Sequence, residues 1–188
     1  MLLYQLLRPL SYMEIRDASK WKIDALLPFI FTVVITVIIA YMPIKVQIFG
    51  QSGMMTLLIG LLQILPGFYL TALAAVATFN RPDMDLLLPK PIPTIKISVK
   101  GIPQDIELTR RRMLSMLFGY LTFISFSLYF LAVAAQVIAP NIAAVISVTA
   151  VFLLRNAFLL LFLFLLGQLI FITMFGLYQL SDRMHQPD

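Results

Sequence analysis

Four apolar stretches, at residues 25–42, 54–79, 113–138 and 156–178, fill most of a 188-residue chain. A bilayer core about 30 Å thick is crossed by about 20 residues of helix. In lipid each backbone N–H and C=O must find its partner inside the segment that crosses. The pattern therefore predicts an all-α integral membrane protein, a four-transmembrane-helix bundle forming one membrane domain over 1–188. The chain is 61% hydrophobic, with a mean hydropathy of +0.94, far from the usage of soluble domains. It has no cysteine, which excludes disulfides, thiolate nucleophiles and cysteine metal sites together.

Charge sets the expected orientation. Arg8, Arg16, Lys20 and Lys22 precede the first stretch, and Arg81, Lys90, Lys96, Lys100, Arg110, Arg111 and Arg112 lie between the second and third. Arg183 follows the fourth, whereas only Lys45 and Arg155 stand at the opposite ends. The positive-inside rule then puts both termini and the central loop in the cytoplasm of a bacterial inner-membrane, multi-pass protein. Near the amino terminus, Leu2, Leu3, Leu6, Leu7 and Leu10 recur at helical spacing, which predicts an amphipathic helix lying in the interface rather than a cleaved signal peptide. Trp21, with Lys20 and Lys22, would anchor the first span at the headgroups.

The central loop, 80–112, opens with Pro82, Pro89, Pro91 and Pro93, which forbid continuous helix and favour an extended run. Ile95, Ile97 and Val99 then alternate with Lys96, Ser98 and Lys100; Gly101 to Gln104 supplies turn chemistry, and Ile106 and Leu108 alternate with Asp105, Glu107 and Thr109. That pattern predicts a short cytoplasmic β-hairpin. Two strands alone are marginal in water, so the hairpin should pack on the bundle, a neighbouring subunit or a partner. Arg110, Arg111 and Arg112 directly before the third span read first as a topology determinant that also attracts anionic lipid. With Lys90, Lys96 and Lys100 they are also candidates for binding an acidic soluble partner. Nucleic acid is disfavoured, because no aromatic residues interleave with the charges.

Within the four stretches there is no Asp or Glu, and the one histidine is His185. Proton-coupled carriers usually rely on such groups, so transport of that kind is disfavoured. The usual general acids, bases and metal ligands are missing as well, so neither an enzyme nor a cofactor is expected. Gln63, Gln136, Arg155 and Gln168 remain as membrane or sensing candidates, with Pro66, which should kink the second span beside Gln63. Arg155 either marks the outer boundary of a span that begins at Asn156, with 142–154 as an apolar outer helix lying on the membrane or extending the span, or lies inside a longer helix and needs a partner such as Gln136 or a wet cavity. Ser115, Gly119 and Thr122 suggest a face for close helix approach, and the phenylalanine-rich fourth span looks turned to lipid or to another subunit, except around Gly167 and Gln168.

A chain of this length with four spans, inward-facing ends and a loop running from Asn80-Arg81-Pro82 through Pro91-Ile92-Pro93-Thr94 to Leu108-Thr109-Arg110-Arg111-Arg112 resembles the membrane subunit of the Kiwa anti-phage system. The resemblance implies a homo-oligomeric inner-membrane sensor of phage infection that works with a soluble partner, and it carries over no site residue. From the residues themselves two functions stay open. One is a sensor or scaffold that recruits a cytosolic effector through the basic loop; the other is an oligomeric pore that depolarises the membrane.

Overall fold

The computed structural model describes residues 5, 7–17, 19–44, 46–78, 80, 82–88, 92–99 and 102–181; at 97–99, 102 and 103 it describes backbone only. Four helices are long and apolar enough to cross a membrane. The first is α1 (Lys22–Tyr41), whose opening turn, Lys22–Leu26, is a π turn. The second is divided into α2 (Met54–Leu62) and α3 (Leu65–Thr78). That break is the expected kink: Pro66 has no N–H to give the carbonyl of Leu62, so the ladder is interrupted at 63–64.

The third and fourth helices, α4 (Arg110–Val145) and α5 (Val148–Ser181), run well past the expected limits. At about 1.5 Å per residue each is about 50 Å long, against about 30 Å for a bilayer core. Pro140 sits inside α4 without ending it, and the Asn141 side chain donates to the Val137 carbonyl in the same turn at 3.2 Å. The segment 142–154 is therefore not a separate helix. It forms the end of α4, a tight turn at Ile146 and Ser147, and the first two turns of α5.

The helices pack in the order α1, α5, α4, α2/α3. No comparable contact joins α1 to α2 or α3 among the described residues, so α4 and α5 form the centre and the first two spans its flanks. In its most apolar window α5 is 44% buried, against 11% for α1. Gly167 and Gln168 are buried, as expected, but the buried face extends well beyond them, with Leu159, Phe162, Leu163, Leu166, Leu169 and Ile172 all core residues. The close approaches of backbone lie there too. A Cβ on Gly167 would stand 3.1 Å from Pro28 Cα, and one on Gly176 would stand 2.8 Å from Leu117 Cδ2. Gly119, expected to serve that purpose, faces open space.

Around the first turns of α4 lies a cap. Its amino-terminal part is a 3-10 helix, Arg8–Glu14, which buries Ser11 and Tyr12 against α4. That short helix replaces the expected interfacial helix over the described residues; Leu2, Leu3 and Leu6 lie outside them. Pro82–Asp85 forms a second 3-10 turn where an extended run was expected, and it packs on α4 as well. The hairpin pairs β1 (Thr94–Val99) with β2 (Ile102–Glu107), in a register that sets Ile95 opposite Ile106 and Lys96 opposite Asp105. Ile102 to Gln104 belong to β2, so the connection is two residues shorter in concept than the four-residue turn expected; Lys100 and Gly101 lie outside the described residues.

The hairpin is tied into the cap through the amino-terminal segment. Ile95 and Leu108 are buried in one cluster with Tyr12, Ile15, Met84, Leu88 and Met113. Backbone bonds sew the pieces together: Arg16 N–H to the Thr94 carbonyl at 2.9 Å, Leu88 N–H to the Leu108 carbonyl at 3.2 Å, and Arg110 N–H to the Leu86 carbonyl at 3.1 Å.

Candidate functional site

Three places gather the polar residues of an otherwise apolar molecule. The first is the junction of the cap with α1, α4 and α5. Tyr12 stacks on Tyr120, ring centroids 5.1 Å apart, and its hydroxyl donates to Asp24 Oδ1 at 3.1 Å. Lys20 pairs with the other carboxylate oxygen of Asp24, and its ammonium lies 4.2 Å from the Tyr12 ring centroid. On the far side, Tyr120 donates to Gln168 Oε1 at 3.1 Å, and Gln168 Nε2 donates to the Asp24 backbone carbonyl at 2.7 Å. Gln168 is thus satisfied on both ends of its amide, as a buried polar group must be.

The network holds an acid that the apolar stretches appeared to lack. α1 begins at Lys22 rather than Ala25, which brings Asp24 into its first turn. Burial, then the nearby Asp24 carboxylate, push the Tyr12 phenol well above its ordinary value, because a second negative charge there would be both desolvated and repelled. Sequence reasoning missed Tyr12 and Asp24. The only trace of them was the i,i+4 spacing of Lys20 and Asp24, which puts both on one helix face.

The network also fixes the relative height of the helices. Gln168, near the middle of α5, reaches the first turn of α1, and the 13 residues Leu169–Ser181 run on past it, about 20 Å at helical rise. α1 is therefore offset toward the end of the molecule opposite the cap, called here the distal end.

The second place is the start of α4. The Arg111 guanidinium grips Asp85 in a two-point contact, Nε to Oδ1 at 2.8 Å and Nη2 to Oδ2 at 3.1 Å, and its Nη1 donates to the Val76 carbonyl at 2.9 Å. Cations are unfavourable at a helix's amino end and favourable at its carboxyl end. Arg111 resolves that conflict by leaving its own helix for the last carbonyls of α3. The contact holds the Asp85 carboxyl below the usual carboxylate range, hydrogen bonding being the larger cause. Arg111 is thus an internal clamp, where the sequence put it among the partner-binding candidates. Arg110 and Arg112 are half-buried beside it, Lys96 is exposed on β1, and Lys90 and Lys100 lie outside the described residues. Thr109 caps α4, accepting from Arg112 N–H at 3.4 Å.

The third place is the distal end. Gln136 Nε2 donates to the Gly50 carbonyl at 2.9 Å and contacts Thr56 Oγ1 at 3.2 Å. Gly50 also accepts from Thr56 Oγ1 at 2.8 Å and from Gly53 N–H at 2.9 Å. Gly50 has φ +106°, a conformation that glycine adopts without strain. Gln136 therefore pins the loop between α1 and α2. Arg155 is an exposed side chain inside α5, its guanidinium 5.7 Å from the Phe152 ring centroid. Gln63 is exposed beside the break that Pro66 makes, and Pro66 itself is buried.

The structure does not bring Gln63, Gln136 and Gln168 together. One faces outward, one holds a loop and one ties three helices. Among the described residues no three His, Asp or Glu side chains converge as a metal site. No family model, characterised protein or solved structure matches the chain.

Proposed function

We propose that this protein is an inner-membrane sensor and scaffold, oriented with its cap in the cytoplasm, that recruits a soluble protein through the cap. The observation that carries the reading is the construction of the cap. The amino-terminal segment, the 82–88 segment and the hairpin share one buried cluster and are joined by backbone bonds at Arg16, Leu88 and Arg110. The result is a platform from which the rest of the hairpin projects, with Lys96 exposed on it. Such a platform has a use if something docks on it, and a two-stranded hairpin carrying Lys96 suits an acidic group on a partner or an added strand. The polar junction at Asp24 joins the same platform to α1, α4 and α5, which offers a route for a disturbance in the membrane to reach it. A homo-oligomer and a role in anti-phage defence are consistent with the Kiwa-like layout.

Purification in mild detergent from cells expressing the protein in its native genomic context, followed by native mass spectrometry, tests the reading. We expect a defined complex carrying one cytosolic protein, lost when Lys96, Lys100 and Arg112 are replaced by glutamine. Arg111 is spared in that variant because it holds α3 to α4. Undiminished capture by the variant sinks the docking assignment. A bare oligomer that makes liposomes leaky to ions favours the alternative, an oligomeric pore.

A further inference from the structure

At the distal end, beneath the turn that joins α4 to α5, lies a cavity of about 530 Å³, inside the range of about 300–1,000 Å³ that small-ligand sites occupy. Its walls include Phe49 from the loop after α1, Ala135 and Ala139 from α4, and Val151 and Phe158 from α5; Arg155 carries the only polar side chain among the lining residues. Three features decide what fits. The walls offer no side-chain hydrogen bond except at Arg155, so a peptide entering the cavity would leave its backbone groups unpartnered, whereas a hydrocarbon chain brings none. An apolar space of this kind does not hold water. The guanidinium at its edge has five donors and no carboxylate partner among the described residues, its one contact being the face of Phe152.

The neighbouring surface has the same character. Val145, Val148, Phe152 and Leu153 around the turn are exposed, and this hairpin tip is apolar enough to sit in a leaflet. We propose that the cavity holds an acyl chain of an anionic phospholipid, whose phosphate is gripped by Arg155. A guanidinium matches a phosphate by two parallel hydrogen bonds. Arg155 lies about 12 Å of helix inside the turn, and the lipid would supply the counter-charge that a cation drawn below the headgroups requires. The inference rests on the membrane reading of the helices and is independent of partner recruitment at the cap.

The test uses the full-length protein reconstituted in vesicles of phosphatidylglycerol and phosphatidylcholine, extracted and weighed by native mass spectrometry, with the fold of each variant checked by circular dichroism. The expected result is retention of one phosphatidylglycerol per chain. R155Q should lower that retention about fivefold, the worth of one basic residue at an anionic surface, and R155K should restore part of it. A139W, which fills the cavity, should lower it as well; A135L is the milder substitute should A139W misfold. Equal retention by wild type and R155Q overturns the proposal, as does equal retention of phosphatidylcholine. A dimer that A139W converts to monomer would give the cavity to a second copy of the chain and overturn it too.

Discussion

At the cap end, α4 is enclosed: Met113, Leu114, Leu117, Phe118 and Leu121 are all buried. At the distal end the same helix and its partner expose Val137, Val145, Val148 and Leu153, at 64%, 84%, 87% and 71%. On the proposed membrane placement, with the cap in water and the distal tip in lipid, the difference is one of solvent. Apolar surface left open costs nothing against lipid tails, which are as apolar as leucine, so nothing needs to cover the distal tip inside a leaflet. The cap end must hide its apolar residues from water and must also satisfy Tyr12, Asp24, Tyr120 and Gln168. It does so by joining three separate stretches of chain around one helix base. Order at the cap is made by many specific contacts, whereas at the distal end the hairpin holds itself by helix hydrogen bonds, with Gln136 bonded to Gly50 and Thr56 and Phe158 packed on Phe49 to fix the neighbouring loop.

The largest effect expected from breaking this arrangement comes from the approach of α1 to α5. Gly167→Leu would drive a side chain into Pro28 Cα and the Phe31 ring, at a cost of roughly 1–3 kcal/mol for overpacking, or more if the helices separate. It should lower the thermal midpoint in detergent and leave α1 open to proteolysis. Val148→Ala, at the exposed tip, should stay within about 0.5 kcal/mol of wild type. Equal effects of the two would mean that the contrast between the ends is not real.

That contrast was only half legible in the sequence. The existence of four apolar helices, the kink at Pro66 and the hairpin were plain, because span length, a missing N–H and period-two alternation are local signals. The burial order was not. α5 is apolar on all sides, so nothing in its periodicity marks an inner face, and Phe162 and Phe171 look alike until α1 and α4 are placed around them. The third helix also runs through Pro140 to Val145, past the expected limit at residue 138. Of the membrane candidates, Gln168 is bonded at both ends of its amide, whereas Gln136 is bonded through Nε2 alone and its Oε1 is buried without a hydrogen bond. Arg111 read as part of a surface patch because its partners, Asp85 and Val76, lie 26 and 35 residues away.

A smaller effect is expected from the polar junction, and it sharpens the comparison by separating hydrogen bonds from packing. Gln168→Leu keeps the volume but strands the Tyr120 hydroxyl and the Asp24 carbonyl, a loss of about 1–3 kcal/mol for buried groups left without partners. Gln136→Leu should cost less, since Gly50 keeps its bonds from Thr56 and Gly53. Chemical denaturation of both variants in the same detergent would rank them. If Gln136→Leu proves the more damaging, the distal loop and not the cap is the rigid part of the molecule.

The smallest effects are pH-dependent and belong to the cap alone. Tyr12 has a folded pKa raised above that of the unfolded chain, so the native state favours the protonated phenol. The stability this contributes is fully present below about pH 10, the unfolded value for tyrosine, and is lost as pH rises beyond it. Tyr12→Phe removes both the bond to Asp24 and this alkaline loss, at a cost of about 1 kcal/mol near neutral pH. Asp85 works in the opposite sense. Its pKa is depressed by Arg111, so its contribution is present above the unfolded carboxylate value of about 4 and fades as pH falls through the lower folded value. Asp85→Asn should therefore flatten the acid limb slightly while leaving the alkaline limb unchanged, because the carboxylate is in water and its pair with Arg111 is screened. Thermal melts from pH 3 to pH 11 would place both groups on one curve. An alkaline limb of undiminished size in Tyr12→Phe would mean that other groups carry the alkaline loss and that the fold does not favour the protonated Tyr12 phenol.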